Sequence, residues 1–273
     1  MTRLGSLNPD PTEPLGLSVR RSDGPGAYQG LPCDALEFSS RGDRVVGQLV
    51  LPEGPGPHPV VLLAHGLTAS RNDGVMDAIG ARWVREGAAV AAIDFPLHGD
   101  RASTKMTERL LAGRAGALGA GFADTTSEML WLEFTRQCVL DLRRFIDVLE
   151  RLDSVDANRL AYVGFSLGGI VGAATCGLDP RPRGAALAIA GAGPEGSVLD
   201  PTAMVAQIAP RPVLLVNATN DEIIPRAHTE RLYAAAAEPK SIEWFEAGHL
   251  DLPGAAMKSI WNFVRTLLEI PAG

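Results

Sequence analysis

A serine on a glycine-flanked turn is the residue of this chain best placed to do chemistry. The sequence Gly-Phe-Ser-Leu-Gly occupies residues 164–168, after an apolar run at 160–163 and before another at 170–174. This order predicts a strand, a sharp turn that presents Ser166, and a helix. A serine hydroxyl is a weak nucleophile that a nearby base must activate. Glycines on either side remove side chains that would collide in so tight a turn. The alternative is a glycine-rich turn with an incidental serine.

A second loop, upstream of the serine, is a candidate for part of an oxyanion hole. Residues 58–64 are apolar and β-branched, so they predict a buried strand, which runs into His65-Gly66-Leu67. Acyl transfer to a serine needs two backbone N–H groups that face the oxygen on which negative charge develops. We expect Leu67 and Leu167 to supply them, with Gly66 allowing close approach of the backbone. Alternatively, His65-Gly66 is a polar turn after a core strand.

An acid and a base follow the serine in the chain. One apolar strand pattern, at 211–217, ends near Asp221 and Glu222, and another, at 241–245, precedes His249. A carboxylate beyond one strand can orient an imidazole beyond the next, and that imidazole can take the serine proton. Asp221 is the preferred acid because its shorter side chain is easier to hold in one geometry. We expect Glu222 to face solvent or to cap the following helix. Otherwise these are ordinary loop residues.

Two other histidines are weaker candidates for the base. His98 follows a strand pattern, as a base would, but it precedes the serine in the chain. Asp94 and Asp100 are near enough in sequence to hydrogen-bond it in a structural role. We expect His228 to be solvated on a helix.

The elements that must position these loops alternate between strand and helix patterns. This alternation predicts an α/β fold, with a mostly parallel sheet covered by helices on both faces. An antiparallel hairpin around residues 41–43 comes first. Residues 1–30 are rich in Pro, Gly and Ser and predict an extended arm, which leaves 31–273 as the α/β domain. Catalytic groups at the carboxyl ends of parallel strands fit this architecture.

The sequence also predicts two helices and an insertion between them. We expect a helix at about 74–86, and a longer one opened by Thr125 and Glu128, which have the spacing of a capping box. Between them, residues 100–124 interrupt the alternation. We expect this insertion to cover the site as a lid and to set substrate choice; the alternative is a surface loop with one helix. A weak helix pattern in it is formed by Met106, Leu110, Leu111, Ala115 and Leu118. Of these, we expect Met106, Leu110, Leu111 and Leu118 to line a pocket.

The composition limits the classes of function. The chain has 273 residues, of which 46% are apolar, enough for the core of one domain. The formal net charge is −7 and the basic residues are scattered, which argues against nucleic acid and anionic membranes as partners. No apolar run approaches the roughly 20 residues of a membrane span. Residues 1–11 lack the apolar centre of a signal peptide. No particular oligomeric state is indicated.

The cysteines and histidines indicate a protein without a metal. Cys33, Cys138 and Cys176 are odd in number and far apart, so we expect buried free thiols and a reducing, cytoplasmic location. None of the five histidines pairs with another at i, i+4. No metal site and no phosphate-binding glycine loop is predicted. We therefore expect no cofactor.

With these motifs in this order, the chain resembles the α/β-hydrolase family. The resemblance rests on residues 65–67 and 164–168, on Asp221 and on His249, in the chain order serine, acid, histidine. It covers nearly everything from about residue 35 to residue 268. It implies the α/β-hydrolase fold and a serine carboxylic-ester hydrolase that forms an acyl-enzyme on small to medium esters.

Within that family the chain is most similar to small esterases related to dienelactone hydrolases, cinnamoyl (feruloyl) esterases and acetyl esterases. The loops at 65–71 and 94–99 carry this similarity. Two departures matter: dienelactone hydrolases proper use a cysteine nucleophile, and the His-Gly-Gly-Gly of lipase-type enzymes is absent. Two alternatives stay open. One is another acyl hydrolase with the same residues, namely a feruloyl esterase, thioesterase, amidase or peptidase. The other, less favoured, is a non-catalytic module that binds a small molecule.

Overall fold

The structure, a computed structural model, describes residues 7–116, 121–193 and 200–271. A single mixed sheet organises this part of the chain. Its strands are β1 (Ser18–Asp23), β2 (Pro32–Ser40), β3 (Asp43–Val50), β4 (His58–Ala64), β5 (Ala89–Ile93), β6 (Val155–Phe165), β7 (Ala185–Ala188), β8 (Val213–Ala218) and β9 (Lys240–Phe245). The helices are α1 (Gly74–Arg85), α2 (Thr104–Ala112), α3 (Thr125–Leu149), α4 (Leu167–Leu178), α5 (Thr202–Val205), α6 (Arg226–Ala235) and α7 (Gly254–Leu267).

The sheet order is β1-β2-β3-β5-β4-β6-β7-β8-β9. From β5 to β9 all neighbours are parallel, whereas β1, β2 and β3 add to the β5 side as antiparallel strands. Arg41 and Gly42 form the two-residue turn between β2 and β3, both with positive φ (53° and 79°), as a type I′ hairpin requires. The predicted mostly parallel sheet with an initial hairpin is confirmed.

Both faces of the sheet are covered, and successive strand residues serve opposite cores. On β4, Val60 and Leu62 face the core formed with α3, α4 and α6, whereas Val61 and Leu63 face the core formed with α1 and α7. A strand buried on both faces has no polar side, which explains why its sequence is continuously apolar. Of the strands that precede candidate site residues, β4, β6 and β8 are largely buried, whereas the edge strand β9 is only half-buried.

The N-terminal segment is partly built into the sheet. An extended arm is predicted for residues 1–30, but within it Ser18–Asp23 pairs with β2 as the edge strand β1. All six residues of β1 are exposed, so the strand has no apolar alternation that would reveal it. Tyr28 is buried against α1, where the ring passes Gly80.

The two predicted helices form close to their expected bounds. α1 begins after Asp73, whose carboxylate accepts the N–H of Val75 at 3.1 Å. α3 begins at Thr125, but its cap is Asp124, which accepts the N–H of Ser127 at 2.7 Å. The predicted capping box at Thr125 and Glu128 is therefore wrong by one residue. The carboxylate is the stronger partner because its charge also suits the helix N-terminus.

The insertion is anchored to the core through α2 and the turn before it. Leu110 is fully buried, and its carbonyl accepts the indole N–H of Trp131 in α3 at 3.0 Å. Arg101 forms a buried ion pair with Asp141 of α3 at 2.7 Å. The expected pocket-lining role of Leu110 is thus replaced by a role in the core. Met106 and Leu111 are half-buried; Leu118 lies outside the described residues.

Candidate active site

Ser166 lies on the sharp turn between β6 and α4. Its backbone has φ 52° and ψ −114°, a conformation rare for a residue with a side chain. A Cβ on Gly164 would lie less than 3 Å from the carbonyl of Gly168, and a Cβ on Gly168 less than 3 Å from the carbonyl of Ala64. The glycines are needed for the reason predicted from the sequence, and the turn lifts the serine to the carboxyl edge of the sheet.

A chain of hydrogen bonds joins the serine, the histidine and the aspartate. His249 Nε2 lies 2.9 Å from Ser166 Oγ, and His249 Nδ1 lies 2.8 Å from Asp221 Oδ2 and 2.9 Å from Asp221 Oδ1. An ionised carboxylate only accepts, so the Nδ1 proton is donated to Asp221 and Nε2 is left to accept from the serine hydroxyl. The imidazole is 4% exposed. This arrangement can remove the serine proton.

Asp221 is held as an anion. Burial acts to raise the pKa of its carboxyl group, but the hydrogen bonds from His249 and from the N–H groups of Ile223 and Ile224 outweigh burial and lower that pKa. The two backbone bonds also fix the side chain in one geometry, at 2.9 Å and 2.7 Å to Oδ1. A negative charge that stays in place is what an imidazolium partner requires.

Glu222 binds the backbone of the same histidine. Its Oε2 accepts the N–H of His249 at 3.0 Å, and this bond is the main reason that the pKa of the exposed Glu222 carboxyl is lowered. Glu222 is exposed, as expected, but its bond to the backbone of His249 was not predicted. Sequence reasoning missed the contact because it spans 27 residues and is made only when the two loops meet.

The two residues expected to donate to an oxyanion both lie near Ser166. Leu167 is the first residue of α4, where helical N–H groups lack intrahelical partners. Leu67 lies in the loop after β4, beside Gly66, on which a Cβ would be 3.5 Å from Ser166 Cβ. Among the described residues neither N–H donates a hydrogen bond. Within the described part of the chain, both groups are therefore without a protein acceptor.

The other candidate histidines take different positions. His98 Nδ1 bonds the carbonyl of Pro96 at 2.8 Å, and burial lowers the pKa of the ring. The expected bond to Asp94 or Asp100 is absent, because Asp94 accepts the guanidinium and the N–H of Arg71, together with the N–H of Asp100. His228 is half-buried on α6 rather than solvated. The histidine that reaches Ser166 is His249.

The described residues show neither a cluster of metal-ligating side chains nor a membrane-spanning helix. Their His, Cys, Asp and Glu side chains form no group of three or more that could hold a metal ion. Among the described helices, none is long and apolar enough to cross a membrane.

Comparison with known sequences points to esterases. The model of the acetyl xylan esterase (AXE1) family matches residues 27–190. Esterase FrsA of Enterobacter sp. (strain 638) is 29% identical over 140 residues, which is 50% of this chain. The chain spans 32% of the length of that curated relative.

Comparison with solved structures shows the same fold. The acetyl xylan esterase of Paenibacillus sp. R4 is 24% identical with a TM-score of 0.71, over 93% of this chain and 89% of that one. Acetyl xylan esterase 1 of Thermoanaerobacterium sp. is 18% identical with a TM-score of 0.67, over 96% and 89%. A cold-adapted esterase from an Arctic intertidal metagenomic library is 19% identical with a TM-score of 0.69, over 93% and 98%. At these identities the likeness concerns the fold.

Proposed function

Because the chain belongs to the acetyl xylan esterase (AXE1) family, a family of carboxylic-ester hydrolases with the α/β-hydrolase fold, we propose that it hydrolyses small to medium esters through an acyl-enzyme on Ser166. The observation that carries this proposal is the position of His249, whose ring bonds Ser166 Oγ with one nitrogen and Asp221 with the other. A single imidazole between a hydroxyl and a carboxylate is the arrangement that activates a serine.

The proposed reaction has two halves. Ser166 Oγ attacks the ester carbonyl while His249 Nε2 takes its proton, and Asp221 stabilises the resulting imidazolium. The N–H groups of Leu67 and Leu167 donate to the carbonyl oxygen, which becomes negative as the tetrahedral intermediate forms. His249 then protonates the departing alcohol. Water repeats the sequence on the acyl-enzyme and releases the acid, so the cycle needs no cofactor.

Acetyl esters are the first substrates to test, because two of the similar structures are acetyl xylan esterases. Other acyl hydrolases with the same residues, such as a feruloyl esterase, thioesterase, amidase or peptidase, are the competing class. A module that only binds a small molecule is disfavoured, since binding has no use for a serine, an imidazole and a carboxylate joined in one hydrogen-bonded chain.

Two further proposals concern the surroundings of the site. We propose that the insertion at 100–124 forms a wall of the acyl pocket; its start follows β5, whose carboxyl end lies on the same edge of the sheet as Ser166. We also propose a cytoplasmic location. Its support is that Cys33, Cys138 and Cys176 are all buried and free, as in proteins of reducing compartments.

Covalent labelling tests the function directly. A fluorophosphonate probe should label the wild type and leave Ser166→Ala unlabelled, and hydrolysis of p-nitrophenyl acetate should fall by about 10³-fold or more in kcat. Circular dichroism provides the control that the variant is folded. Turnover within tenfold of wild type in Ser166→Ala would exclude this serine as the nucleophile. A panel of acetyl, longer acyl and feruloyl esters, with a thioester and an amide, then separates the competing classes.

A further inference from the structure

His65 is a buried histidine that the proposed reaction does not use. It follows β4 directly, is 1% exposed, and both its ring nitrogens are hydrogen-bonded to backbone. The N–H of Phe95 lies 3.0 Å from Nε2, and the carbonyl of Gly66 lies 2.7 Å from Nδ1. An N–H only donates and a carbonyl only accepts. The ring proton is therefore on Nδ1, where it is donated to Gly66, and Nε2 accepts from Phe95.

The ring is neutral at any pH at which the enzyme would work. Burial is the main cause that lowers the pKa of His65, to about 3, and the nearby His98 and Arg71 act in the same direction. The bond to Gly66 acts the other way but does not compensate. Since the same proton stays on the same nitrogen, the two hydrogen bonds persist over the neutral and mildly acidic range.

The bond to Gly66 bears on the proposed oxyanion hole. The Gly66 carbonyl and the Leu67 N–H belong to one planar trans peptide and point in opposite directions. A ring that holds the carbonyl therefore also sets the direction of the N–H. A peptide preceded by glycine has unusual rotational freedom, so it needs such a restraint. The turn bond from Ala69 N–H to the same carbonyl is longer, at 3.3 Å.

The other ring nitrogen, Nε2, is bonded to a buried part of the backbone. Phe95 is fully buried just beyond β5, and Asp94 before it is also fully buried. The Asp94 carboxylate accepts the backbone N–H and the guanidinium of Arg71, which lies further along the loop that contains Leu67. The loop is thus joined to the end of β5 at two points, one at His65 and one at Arg71.

We infer that His65 is a positioning residue, which holds the Gly66–Leu67 peptide so that the Leu67 N–H faces the oxygen on which charge develops. This inference rests on the proposed function, because it assumes that Leu67 is an oxyanion donor. It assigns to the histidine a role in the chemical step rather than in substrate binding. A misdirected donor should lower kcat and leave KM nearly unchanged, since the donor acts mainly in the transition state.

Two amide variants separate the two bonds of the ring. In His65→Asn the side-chain amide can still donate to Gly66, in place of Nδ1, but no longer reaches Phe95. In His65→Gln the amide oxygen can accept from Phe95, in place of Nε2, but the bond to Gly66 is lost. We expect kcat for p-nitrophenyl acetate to fall about 10- to 100-fold in His65→Gln, short of the loss of a whole oxyanion donor. His65→Asn should stay within about tenfold of wild type, and KM should change less than threefold in both.

The shape of the pH profile of kcat/KM should be unchanged in both variants, because His249 is untouched. Equal losses in the two folded variants, or wild-type kcat in His65→Gln, would show that the ring only packs. If either variant fails to fold, ¹⁵N spectra of the wild-type imidazoles decide. The His65 ring should keep the Nδ1–H tautomer down to about pH 4. An Nε2–H tautomer at His65 would overturn the inference. A wild type that neither hydrolyses esters nor reacts with fluorophosphonate removes the proposed function and this role together, whereas a labelled, active wild type isolates the role of His65.

Discussion

At the scale of single residues, two adjacent carboxylates hold different parts of one histidine. Asp221 binds the His249 ring, and Glu222 binds the backbone N–H of His249. The first bond sets the tautomer of the ring, and the second holds the loop that carries His249. Their chemical demands differ: the ring needs a negative partner, whereas the backbone N–H needs only an acceptor.

This difference predicts the effect of removing each charge. Asp221→Asn should lower kcat by several orders of magnitude, about 10⁴-fold in the best-studied triad, because the amide no longer enforces the tautomer. Glu222→Gln should leave kcat within a few-fold of wild type, because the amide oxygen still accepts the N–H of His249. Steady-state hydrolysis of one activated ester measures both. The opposite pattern would make Glu222 the acid.

The serine, the acid and the histidine could be found from the sequence because each one follows a strand pattern and carries its own local signal. The glycines around Ser166 are of this kind. The contact from Glu222 to His249 and the acceptor role of Asp94 carry no such signal. They depend on loops 23 to 27 residues apart in the chain, which meet only in the folded sheet.

At the scale of elements, helix α2 of the insertion has one side buried in the core and another side that is partly accessible. Leu110 of α2 is fully buried beneath Trp131, whereas Met106 and Leu111 on the same helix are half-buried. A helix that carries one residue into the core and leaves others partly accessible can be anchored and still face a ligand. The anchor and the wall can therefore be tested separately.

We expect Leu110→Ala to lower the free energy of unfolding by about 2–5 kcal/mol, as for other large-to-small changes in a core. The ranking of acetyl, longer acyl and aromatic esters should be unchanged in this variant. Met106→Ala should leave stability within about 1 kcal/mol and should change that ranking. Urea unfolding and the ester panel measure the two effects. An unchanged ranking in a double variant at Met106 and Leu111 would assign specificity to other loops.

Most elements could be predicted because their patterns are local: continuous apolar runs for the parallel strands and a two-residue turn for the hairpin. β1 could not, since a polar edge strand has no buried face and is specified by its partner β2. The start of α3 was predicted, but its cap was placed one residue late. Asp124 and Thr125 are both acceptable caps by sequence, and only the backbone conformation distinguishes them.

At the scale of the whole molecule, the N-terminal segment covers an ionisable group. Asp77 of α1 is 3% exposed, and its Oδ1 has no partner among the residues that the structure describes. Oδ2 faces Gly26, where a Cβ would be only 2.7 Å away. Burial raises the pKa of Asp77 to about 6, and the neighbouring Asp73 adds to the shift. The segment thus packs over a carboxyl group that is easier to bury when protonated.

This raised pKa predicts a dependence of stability on pH. An unfolded Asp has a pKa near 3.9, so between about pH 4 and pH 6 the folded state binds more protons, and this contribution to stability falls as pH rises. Asp77→Asn should therefore raise the free energy of unfolding by about 1 kcal/mol at pH 7.5 and by much less at pH 4. Urea unfolding at the two pH values measures the difference. An equal change in the free energy of unfolding at both pH values would contradict the conclusion that burial raises the pKa of Asp77.

The spacing of the site residues along the chain has a consequence for how activity arises during folding. His249 lies 28 residues from Asp221 and 83 from Ser166, and the strands before them, β6, β8 and β9, are not all neighbours in sequence or in the sheet. Contacts of such separation form late, because the entropy of closing long loops must be overcome first. Helices, by contrast, form in about a microsecond. During refolding, ester turnover should therefore lag the far-ultraviolet helical signal, and its return reports the pairing of the last strands.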